Sequence, residues 1–301
     1  MKVQMLNFLP MSISEKLRQG PTLSYEFFPP KNSAGWATLY GTLAESLKQH
    51  PDFVTVTYGA GGATRVKTVE LVERIQGELG IEAMAHLTCV GHSREELHGI
   101  LTSLWNGGIR HVLALRGDPP RGDTTFKPHP DGFAHASDLI RFIKENFASF
   151  TVGCAFYPEK HVESRTLEED MGYLKLKQDC GADFAISQLF FENQNFLHFR
   201  DEALRQGITL PLLAGIMPVL EASQLQRFRE LSGCVIPDEL VKMLSENSDS
   251  LESGVEFATK QCAELLRNGV AGLHLYCLNK HPSVVRITEN LRGLGFLPVR
   301  A

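Results

Sequence analysis

A single carboxylate, Glu26, stands among aromatic residues in an apolar stretch that Pro29 and Pro30 end. Proline lacks the backbone N–H that a central strand needs, so the two prolines turn the chain out of a strand shortly after the acid. An acid near the carboxyl end of a strand is either a structural charge with a partner or a group whose proton takes part in a reaction. The residues by themselves leave both interpretations open.

An arginine and an aspartate close another apolar run, in the order Arg116, Gly117, Asp118, and Pro119 and Pro120 follow them. The guanidinium and the carboxylate can neutralise each other, which is the structural interpretation. In the functional interpretation, the arginine fork binds an anion and the carboxylate lies beside a ring that changes its charge. The prolines stiffen the loop, which suits side chains that must be held in place.

A glycine-rich loop, residues 58–65, opens a predicted helix and contains Tyr58 and Ala60. Glycines let backbone N–H groups approach an anion, and a helix N-terminus favours negative charge. The loop lacks the GxGxxG spacing of the Rossmann fingerprint and the lysine of the P-loop. A permissive turn therefore remains the alternative to an anion site.

Two histidines and one helix supply further candidates. His161 begins an HxE pattern like that of zinc deaminases, but no PCxxC follows, so we predict no metal site. His86 lies in a predicted strand, where a lone histidine is more often a core residue with a hydrogen-bond partner. Asp170 and Lys177 lie two helical turns apart on one face, where charges are usually exposed to solvent.

These side chains require strands that end close to them. Apolar, β-rich runs recur along the chain, and a segment with helical periodicity follows each run. The strand candidates are residues 23–28, 53–59, 82–89, 111–117, 151–158, 184–191, 211–217 and 272–278. The helical segments include 64–79, 93–107, 137–147, 166–180, 196–206, 222–231, 237–247 and 255–268. Ser93 and Glu96 form a predicted capping box.

Apolar strands that alternate with helices predict a parallel sheet, and eight such units in about 250 residues predict an α/β fold, the (β/α)8 TIM barrel. An open doubly wound sheet is the alternative. We predict a single catalytic domain over residues 1–301, with residues 1–20 as an N-terminal extension or helix and no regulatory domain. Loops at strand carboxyl ends form the site of such a barrel, so Thr57, Tyr157, Gln188 and Tyr276 join the candidates.

The composition excludes several classes of protein. A net charge of −5 gives no electrostatic case for binding nucleic acid or an anionic membrane. The 6 cysteines are scattered without a CxxC pair, which indicates a reducing compartment. No apolar run approaches the roughly 20 residues that span a bilayer, and no signal-peptide core stands at the N-terminus. We therefore expect a soluble cytoplasmic protein.

Short strings at the predicted strands resemble the bacterial type of methylenetetrahydrofolate reductase. They occur in the order known from that family and cover every predicted strand. The strings are Glu26-Phe27-Phe28-Pro29-Pro30, Val56-Thr57-Tyr58-Gly59-Ala60, His86-Leu87-Thr88-Cys89, Leu115-Arg116-Gly117-Asp118, Ala155-Phe156-Tyr157-Pro158-Glu159, Gln188-Leu189-Phe190-Phe191, Gly215-Ile216-Met217-Pro218 and Tyr276-Cys277-Leu278-Asn279.

The resemblance implies a flavoprotein barrel with non-covalent FAD across the carboxyl ends of the middle strands. The implied FAD contacts are Thr57, Tyr58, Ala60, His86, Arg116, Gly117, Asp118, His135, Ala136, Tyr157, His161, Asp170 and Lys177. The implied substrate contacts are Glu26, Asp118, Gln188, Gln224, Phe228, Tyr276 and Lys280, with Phe228 stacking on the nicotinamide or the folate. His135 stands where relatives often have tyrosine, and Lys280 replaces a common arginine.

The implied reaction is a ping-pong reduction of 5,10-methylenetetrahydrofolate to 5-methyltetrahydrofolate, which feeds methyl groups to methionine synthesis. NADH or NADPH reduces the flavin and leaves, and the folate then takes the same place. Glu26 would be the general acid that protonates the leaving nitrogen as the folate ring opens, and Asp118 would oppose negative charge on the reduced flavin. Because free glutamate has a pKa of about 4.3, we expect burial beside Phe27 and Phe28 to raise the pKa of Glu26.

The sequence leaves the choice between NADH and NADPH open. We expect a homo-oligomer, and no inhibition by S-adenosylmethionine because the regulatory domain of eukaryotic relatives is absent from the sequence. Two alternative functions remain. One is a related flavin barrel such as a proline dehydrogenase-type oxidoreductase, and the other is a non-catalytic barrel that binds folate or a partner protein.

Overall fold

The computed structural model describes residues 11–30, 32–59, 65–119, 126–246 and 249–298. Eight parallel strands pair in chain order, and the eighth pairs with the first, which closes a barrel. The predicted (β/α)8 barrel is therefore confirmed, and the alternative of an open sheet is wrong. The strands are β1 Thr22–Phe27, β2 Phe53–Val56, β3 Ala83–Thr88, β4 His111–Leu115, β5 Thr151–Phe156, β6 Phe184–Ser187, β7 Leu212–Ile216 and β8 Gly272–Tyr276.

Helices cover the outside of the barrel. At the start of one helix, Ser93 and Glu96 form the predicted capping box, in which each side chain accepts the other residue's backbone N–H, at 3.2 Å and 2.9 Å. The helices formed by the described residues are α1 Ile13–Gln19, α2 Ser33–Leu47, α3 Arg65–Leu79, α4 Arg94–Asn106, α5 Ala136–Asn146, α6 Leu167–Asp179, α7 Asn193–Arg205, α8 Gln224–Ser232, α9 Asp238–Glu246, α10 Ser250–Arg267 and α11 His281–Gly293.

Two predicted segments outside the regular alternation correspond to helices. α1 lies within the predicted N-terminal extension, of which residues 1–10 fall outside the described part of the chain. α9 lies within the predicted extra segment 237–247. Helix α8, which follows β7, has only 9 residues.

Several strands end earlier than the sequence predicts. β2 ends at Val56 instead of residue 59, and β6 ends at Ser187 instead of residue 191. The apolar residues after β6 explain the error, because Phe190 and Phe191 are buried in hydrophobic clusters instead of continuing the sheet. The residues that follow the carboxyl ends of these strands are therefore of the same types as strand residues.

The amino end of the barrel is filled by apolar side chains. Ile13 of α1 packs with Phe53, Met84, Phe184 and Leu213, and the rings of Phe53 and Phe184 lie 6.2 Å apart. Most of these residues stand at or near the first position of a strand. The barrel interior is thus closed at this end.

Candidate active site

A cavity of about 660 Å³ opens at the carboxyl ends of the strands. Its wall contains residues from β1, β3, β8 and the segments that follow β2, β4, β5 and β6. The structure therefore collects most of the predicted site residues in one cavity. Those that line it are Glu26, Thr57, Tyr58, His86, Arg116, Gly117, Asp118, His135, Ala136, Tyr157, His161, Asp170, Lys177, Gln188 and Tyr276.

Glu26 stands between two imidazoles in the cavity wall. Its Oε2 atom lies 3.5 Å from His86 Nε2 and 3.5 Å from His274 Nε2. Both histidines are buried, and the Glu26 side chain is 20% exposed. Within the described part of the chain, neither Nε2 atom has a hydrogen-bond partner. Buried polar atoms normally have partners, so this cluster retains hydrogen-bonding capacity that a ligand can use.

His274 connects Glu26 to Ser24. The Nδ1 atom of His274 lies 2.8 Å from the Ser24 hydroxyl, which also donates to the carbonyl oxygen of Leu273 at 3.2 Å. When the hydroxyl donates to Nδ1 instead, the ring proton is on Nε2 and points towards the Glu26 carboxylate. With this proton on Nε2, His274 would favour the ionised form of Glu26 across the 3.5 Å contact.

The pKa of Glu26 differs from the expectation. Burial raises it, but the polar contact with His274 and the charges that His86 and His274 can carry lower it more, so the pKa lies below its ordinary value. The expected rise is therefore wrong for the protein without a ligand. The lowering could not be expected from local sequence, because the two imidazoles come from β3 and β8, far from Glu26 in the chain. Burial lowers the pKa of His86 to about 4, so this ring is neutral near neutral pH.

Arg116 pairs with a carboxylate that the sequence analysis did not select. Its guanidinium donates to the two Glu163 oxygens at 2.6 Å and 2.8 Å, which is a bidentate ion pair. The hydrogen bond raises the pKa of Arg116 and lowers the pKa of Glu163. Glu163 thus takes the guanidinium fork, while Asp118 lines the same cavity and adds a weaker charge interaction with Arg116.

Gly117 lets the chain pass close to its neighbours at this point. Its φ of 87° lies in the left-handed region, and a Cβ atom there would stand 2.6 Å from Val90 Cγ1 and 3.0 Å from Thr88 Cβ. The backbone between Arg116 and Asp118 is thus fixed against the wall formed after β3.

The charges of α6 hold the loop after β5. Asp170 is buried and accepts the backbone N–H of His161 at 2.7 Å and the Ser164 hydroxyl at 3.2 Å. Lys177 donates to the carbonyl oxygen of Ala155 at 2.8 Å. The interpretation of this pair as ordinary solvent-exposed helix charge is therefore wrong for Asp170, and both side chains line the cavity.

The neighbouring aromatic and amide residues are also fixed. The Tyr276 hydroxyl donates to the carbonyl oxygen of Ser187 at 2.7 Å, and burial raises the pKa of Tyr276 well above its ordinary value. The Gln188 side-chain oxygen accepts the backbone N–H of Leu189 at 2.8 Å. Tyr58 places its hydroxyl 2.8 Å from His92 Nε2.

Three predicted site residues within the described part of the chain are not among those that line the cavity. Gln224 accepts the N–H groups of Leu220 and Glu221 at the start of α8. Phe228 is buried in a hydrophobic cluster, and Lys280 is exposed at the start of α11. Ala60 lies outside the described residues. Their assigned contacts remain predictions.

Several residues of the cavity wall were not predicted from the sequence. His274 could have been found, because it stands two positions before Tyr276 in β8 and side chains at that spacing share one face of a strand. Tyr173 and Leu176 of α6 line the cavity although both are exposed. Glu163 carries no local pattern that predicts its pairing with Arg116.

The arrangement suits binding of a flat, anionic ligand with the Glu26 carboxylate beside it. Aromatic rings, a guanidinium and a carboxylate with two imidazoles share the cavity. Across the described residues, no group of three or more His, Cys, Asp or Glu side chains is placed to hold a metal ion. No helix in this part of the chain is long and apolar enough to cross a membrane.

Comparisons with known proteins place the chain in a family. A family model described as Methylenetetrahydrofolate reductase matches residues 12–292. The 5,10-methylenetetrahydrofolate reductase of Escherichia coli (strain K12) is 37% identical over 262 residues, which are 86% of this chain and 86% of that protein. Methylenetetrahydrofolate reductase (NADH) 1 of Arabidopsis thaliana is 36% identical over 93% of this chain, which spans only 51% of the plant protein.

A solved structure adds a match in fold. An uncharacterized protein from Clostridium thermocellum that binds two copies of 5-methyl-5,6,7,8-tetrahydrofolic acid superposes with a TM-score of 0.65. The match covers 93% of this chain and 98% of that one at 14% identity, so it bears on the fold alone.

Proposed function

The chain belongs to the methylenetetrahydrofolate reductase family. From this premise we propose that it reduces 5,10-methylenetetrahydrofolate to 5-methyltetrahydrofolate, with FAD as cofactor and NADH or NADPH as hydride donor. The observation that carries the proposal is Glu26, a carboxylate held beside two imidazoles in the wall of a cavity at the barrel's carboxyl end. The reaction needs such a group, because the carbon–nitrogen bond that opens requires a proton on nitrogen as well as a hydride on carbon.

The residues of the cavity fit FAD. The volume lies within the roughly 300–1,000 Å³ of small-molecule and cofactor sites. The buried Nε2 of His86 and Oγ1 of Thr88 have no partner within the described residues, so they can bond a polar ring edge. Arg116 would bind the diphosphate, and Tyr58, Gly117, Ala136, Tyr157, His161, Asp170 and Lys177 would form the remaining contacts, with Thr57, Ala60, Asp118 and His135. When bound, FAD would supply the hydride-transfer chemistry between nicotinamide and folate.

The substrates would bind in front of Gln188 and Tyr276. These two side chains share the cavity wall with Glu26, and the Tyr276 ring is fixed by its bond to Ser187. Gln224 and Phe228 would reach the substrates from α8, and Lys280 would attract the carboxylates of the folate tail as a point charge. Because both substrates would use the same part of the cavity beside Glu26, Gln188 and Tyr276, they would bind in turn, which is a ping-pong order.

Glu26 would give the proton. Its lowered pKa means that the carboxyl is ionised at neutral pH before a substrate binds. A substrate that covers its exposed fraction would remove water from the carboxylate and raise the pKa, because burial disfavours the charged form. The carboxylate would take up its proton from solvent as the substrate binds, against the contact with His274, which lowers the pKa. Asp118 would favour the cationic carbon of the opened folate ring by its negative charge.

The proposal extends to the setting of the enzyme. We propose that it works in the cytoplasm as a homo-oligomer and supplies methyl groups for methionine synthesis.

Anaerobic reduction of the purified, FAD-loaded protein tests the function and the donor. We expect NADH or NADPH to bleach the flavin absorbance, and methylenetetrahydrofolate to restore it with formation of methyltetrahydrofolate. Proline should not reduce the flavin. Protein that binds no FAD, or reduced protein that methylenetetrahydrofolate does not reoxidise, would contradict the proposal.

A further inference from the structure

Glu159 joins the segments that follow three neighbouring strands. It stands shortly after β5, and its side chain is half-buried. Its Oε1 atom accepts a hydrogen bond from Asn195 Nδ2 at 2.5 Å, in α7 after β6. Its Oε2 atom accepts the backbone N–H of Val235 at 3.1 Å, between α8 and α9 after β7. One carboxylate therefore ties together the segments after β5, β6 and β7.

Each of these segments carries residues of the candidate site. The loop of Glu159 also contains Tyr157 and His161, which line the cavity. The segment after β6 begins with Gln188 in the cavity wall, and α8 carries Phe228. Glu159 is not one of the lining residues, so its influence on the cavity passes through these neighbours.

The residues at the end of α8 connect the Glu159 hydrogen bonds to Phe228. The Ser232 hydroxyl donates to the carbonyl oxygen of Phe228 at 2.8 Å and accepts the N–H of Cys234 at 3.2 Å. Val235 follows directly, and its N–H is the one that Glu159 binds. A short, hydrogen-bonded stretch therefore runs from Glu159 to the last turn of α8. A shift of Val235 would displace this turn together with Phe228.

The contacts of Glu159 are those of a carboxylate. Both oxygens accept N–H donors, and hydrogen bonds to an ionised acceptor are about twice as strong as neutral ones. Burial raises the pKa of Glu159, with a further contribution from the neighbouring Glu192 charge, while the bonds from Asn195 and Val235 lower it. The two donors thus stabilise a charge that burial disfavours.

Resting on the proposed function, we propose that Glu159 is a positioning residue for the nicotinamide- and folate-binding half of the site. It fixes α8, and with it Phe228, relative to the loop that carries His161. A carboxylate outside the cavity thereby sets the distance between the cofactor side and the substrate side.

A pair of substitutions tests this role by exchanging donor and acceptor. Glu159→Gln keeps one oxygen acceptor but places an amide donor opposite a second donor. Adding Asn195→Asp provides a carboxylate for that amide, so both hydrogen bonds can form again. We expect Glu159→Gln to raise the KM for NADH and for the folate about tenfold, with the FAD dissociation constant unchanged. The double variant should restore both KM values.

Amide hydrogen exchange measures the effect of the Glu159 hydrogen bonds in the absence of turnover. The amides of residues 229–236 should exchange faster in Glu159→Gln and return to the wild-type rate in the double variant. Faster exchange with unchanged KM values would overturn the inference, because the tie would then be structural alone. Raised KM values that the double variant does not lower, although exchange has recovered, would also overturn it. Wild-type protein without FAD binding or turnover would instead contradict the proposed function, which keeps the two failures distinct.

Discussion

Two carboxylate–histidine groups occupy opposite ends of the same barrel. Near the amino ends of the strands, Glu82 Oε2 and His111 Nε2 lie 2.8 Å apart, and both side chains are buried. Near the carboxyl ends, Glu26 Oε2 stands 3.5 Å from each of two imidazoles, His86 and His274. The same residue types therefore form a closed hydrogen bond at one end and an open cluster at the other.

The difference separates a structural pair from the one proposed to react. Glu82 precedes β3 and His111 begins β4, so their bond links two strands at the closed end of the barrel. In barrels of this kind the amino face contributes stability, whereas the carboxyl face carries the site. At that face, Glu26, His86 and His274 line the cavity, whereas Glu82 and His111 are not among its lining residues. For a glutamate–histidine group, the residue types leave the role open, and the end of the strand at which the group lies indicates it.

The largest expected effect tests the reactive end. Glu26→Gln should slow reduction of the folate roughly 10²–10⁴-fold, which is the usual contribution of a general acid. Glutamine has the same shape but gives no proton at neutral pH. Hydride transfer from NADH needs only orientation, so bleaching of the flavin should keep its rate. Anaerobic stopped-flow absorbance measures both half-reactions separately.

A matched substitution at the closed end is the control. Glu82→Gln should leave the rates of both half-reactions unchanged in the folded protein, since Glu82 lies away from the cavity. A Glu26→Gln variant that retains FAD but is no longer bleached by NADH would contradict the assigned role of Glu26.

Two histidine substitutions compare how much the group at each end of the barrel contributes to the free energy of unfolding. His111→Ala should lower the free energy of unfolding by about 3–5 kcal/mol, because it leaves the Glu82 carboxylate buried without its partner. His86→Ala should cost about 1–2 kcal/mol, since Glu26 keeps His274 and borders a cavity that water can enter. Urea denaturation measures both values. If His86→Ala proves the more destabilising variant, the division between a structural and a reactive end is wrong.

Low pH should lower the free energy of unfolding, because His86 and Glu26 at the carboxyl ends of the strands take up protons. Burial lowers the pKa of His86 from 6.5 to about 4, so the unfolded chain takes up the proton first. The stability that this neutral ring contributes is complete above its unfolded pKa and is lost as the pH falls from 6.5 towards 4. The lowered pKa of Glu26 adds a further loss below its ordinary value of 4.5.

Unfolding free energies measured at several pH values test this dependence. The His86 contribution should be at most about 3 kcal/mol, because each unit of pKa shift corresponds to about 1.4 kcal/mol. His86→Asn should flatten the dependence between neutral pH and about pH 5. An equally steep loss in that variant would assign the acid sensitivity to other groups.

The fold was largely accessible from sequence, because apolar periodicity records which strands are buried on both faces. Strand ends were less accessible. Residues 188–191 have strand-like types, yet the phenylalanines among them fill clusters outside the sheet. Local composition does not state whether an apolar residue packs in a strand or beyond its end.

Site residues at strand ends could be predicted from the sequence, whereas contacts between distant segments could not. Gln188 and Tyr276 followed from the barrel rule alone. The pairing of Arg116 with Glu163 depends on how the loops after β4 and β5 fold. The direction of the Glu26 pKa shift depends on imidazoles from two other strands. Such distances are set by tertiary packing and leave no local pattern.

Two ion pairs extend the comparison to partly exposed charges. Arg116 and Glu163 lie 2.6 Å apart beside the cavity, and Lys144 and Asp183 lie 2.7 Å apart near the amino ends of β5 and β6. Asp183 also accepts the backbone N–H of Val152 at 2.7 Å. The pair at the amino end therefore has a structural task that the pair at the cavity lacks.

The smallest expected effect comes from neutralising each acid in turn. Asp183→Asn should lower the free energy of unfolding by about 1–2 kcal/mol and leave FAD affinity unchanged, because it weakens an acceptor shared by a lysine and the backbone. Glu163→Gln should cost less than about 1 kcal/mol, since solvent screens this pair. It should tighten FAD binding about threefold to tenfold, because one negative charge fewer competes with the diphosphate for the Arg116 guanidinium. Quenching of flavin fluorescence on binding measures the affinity. Weaker binding by Glu163→Gln would mean that Glu163 holds Arg116 in place for the cofactor, so that the cavity pair would be as structural as its counterpart at the other end.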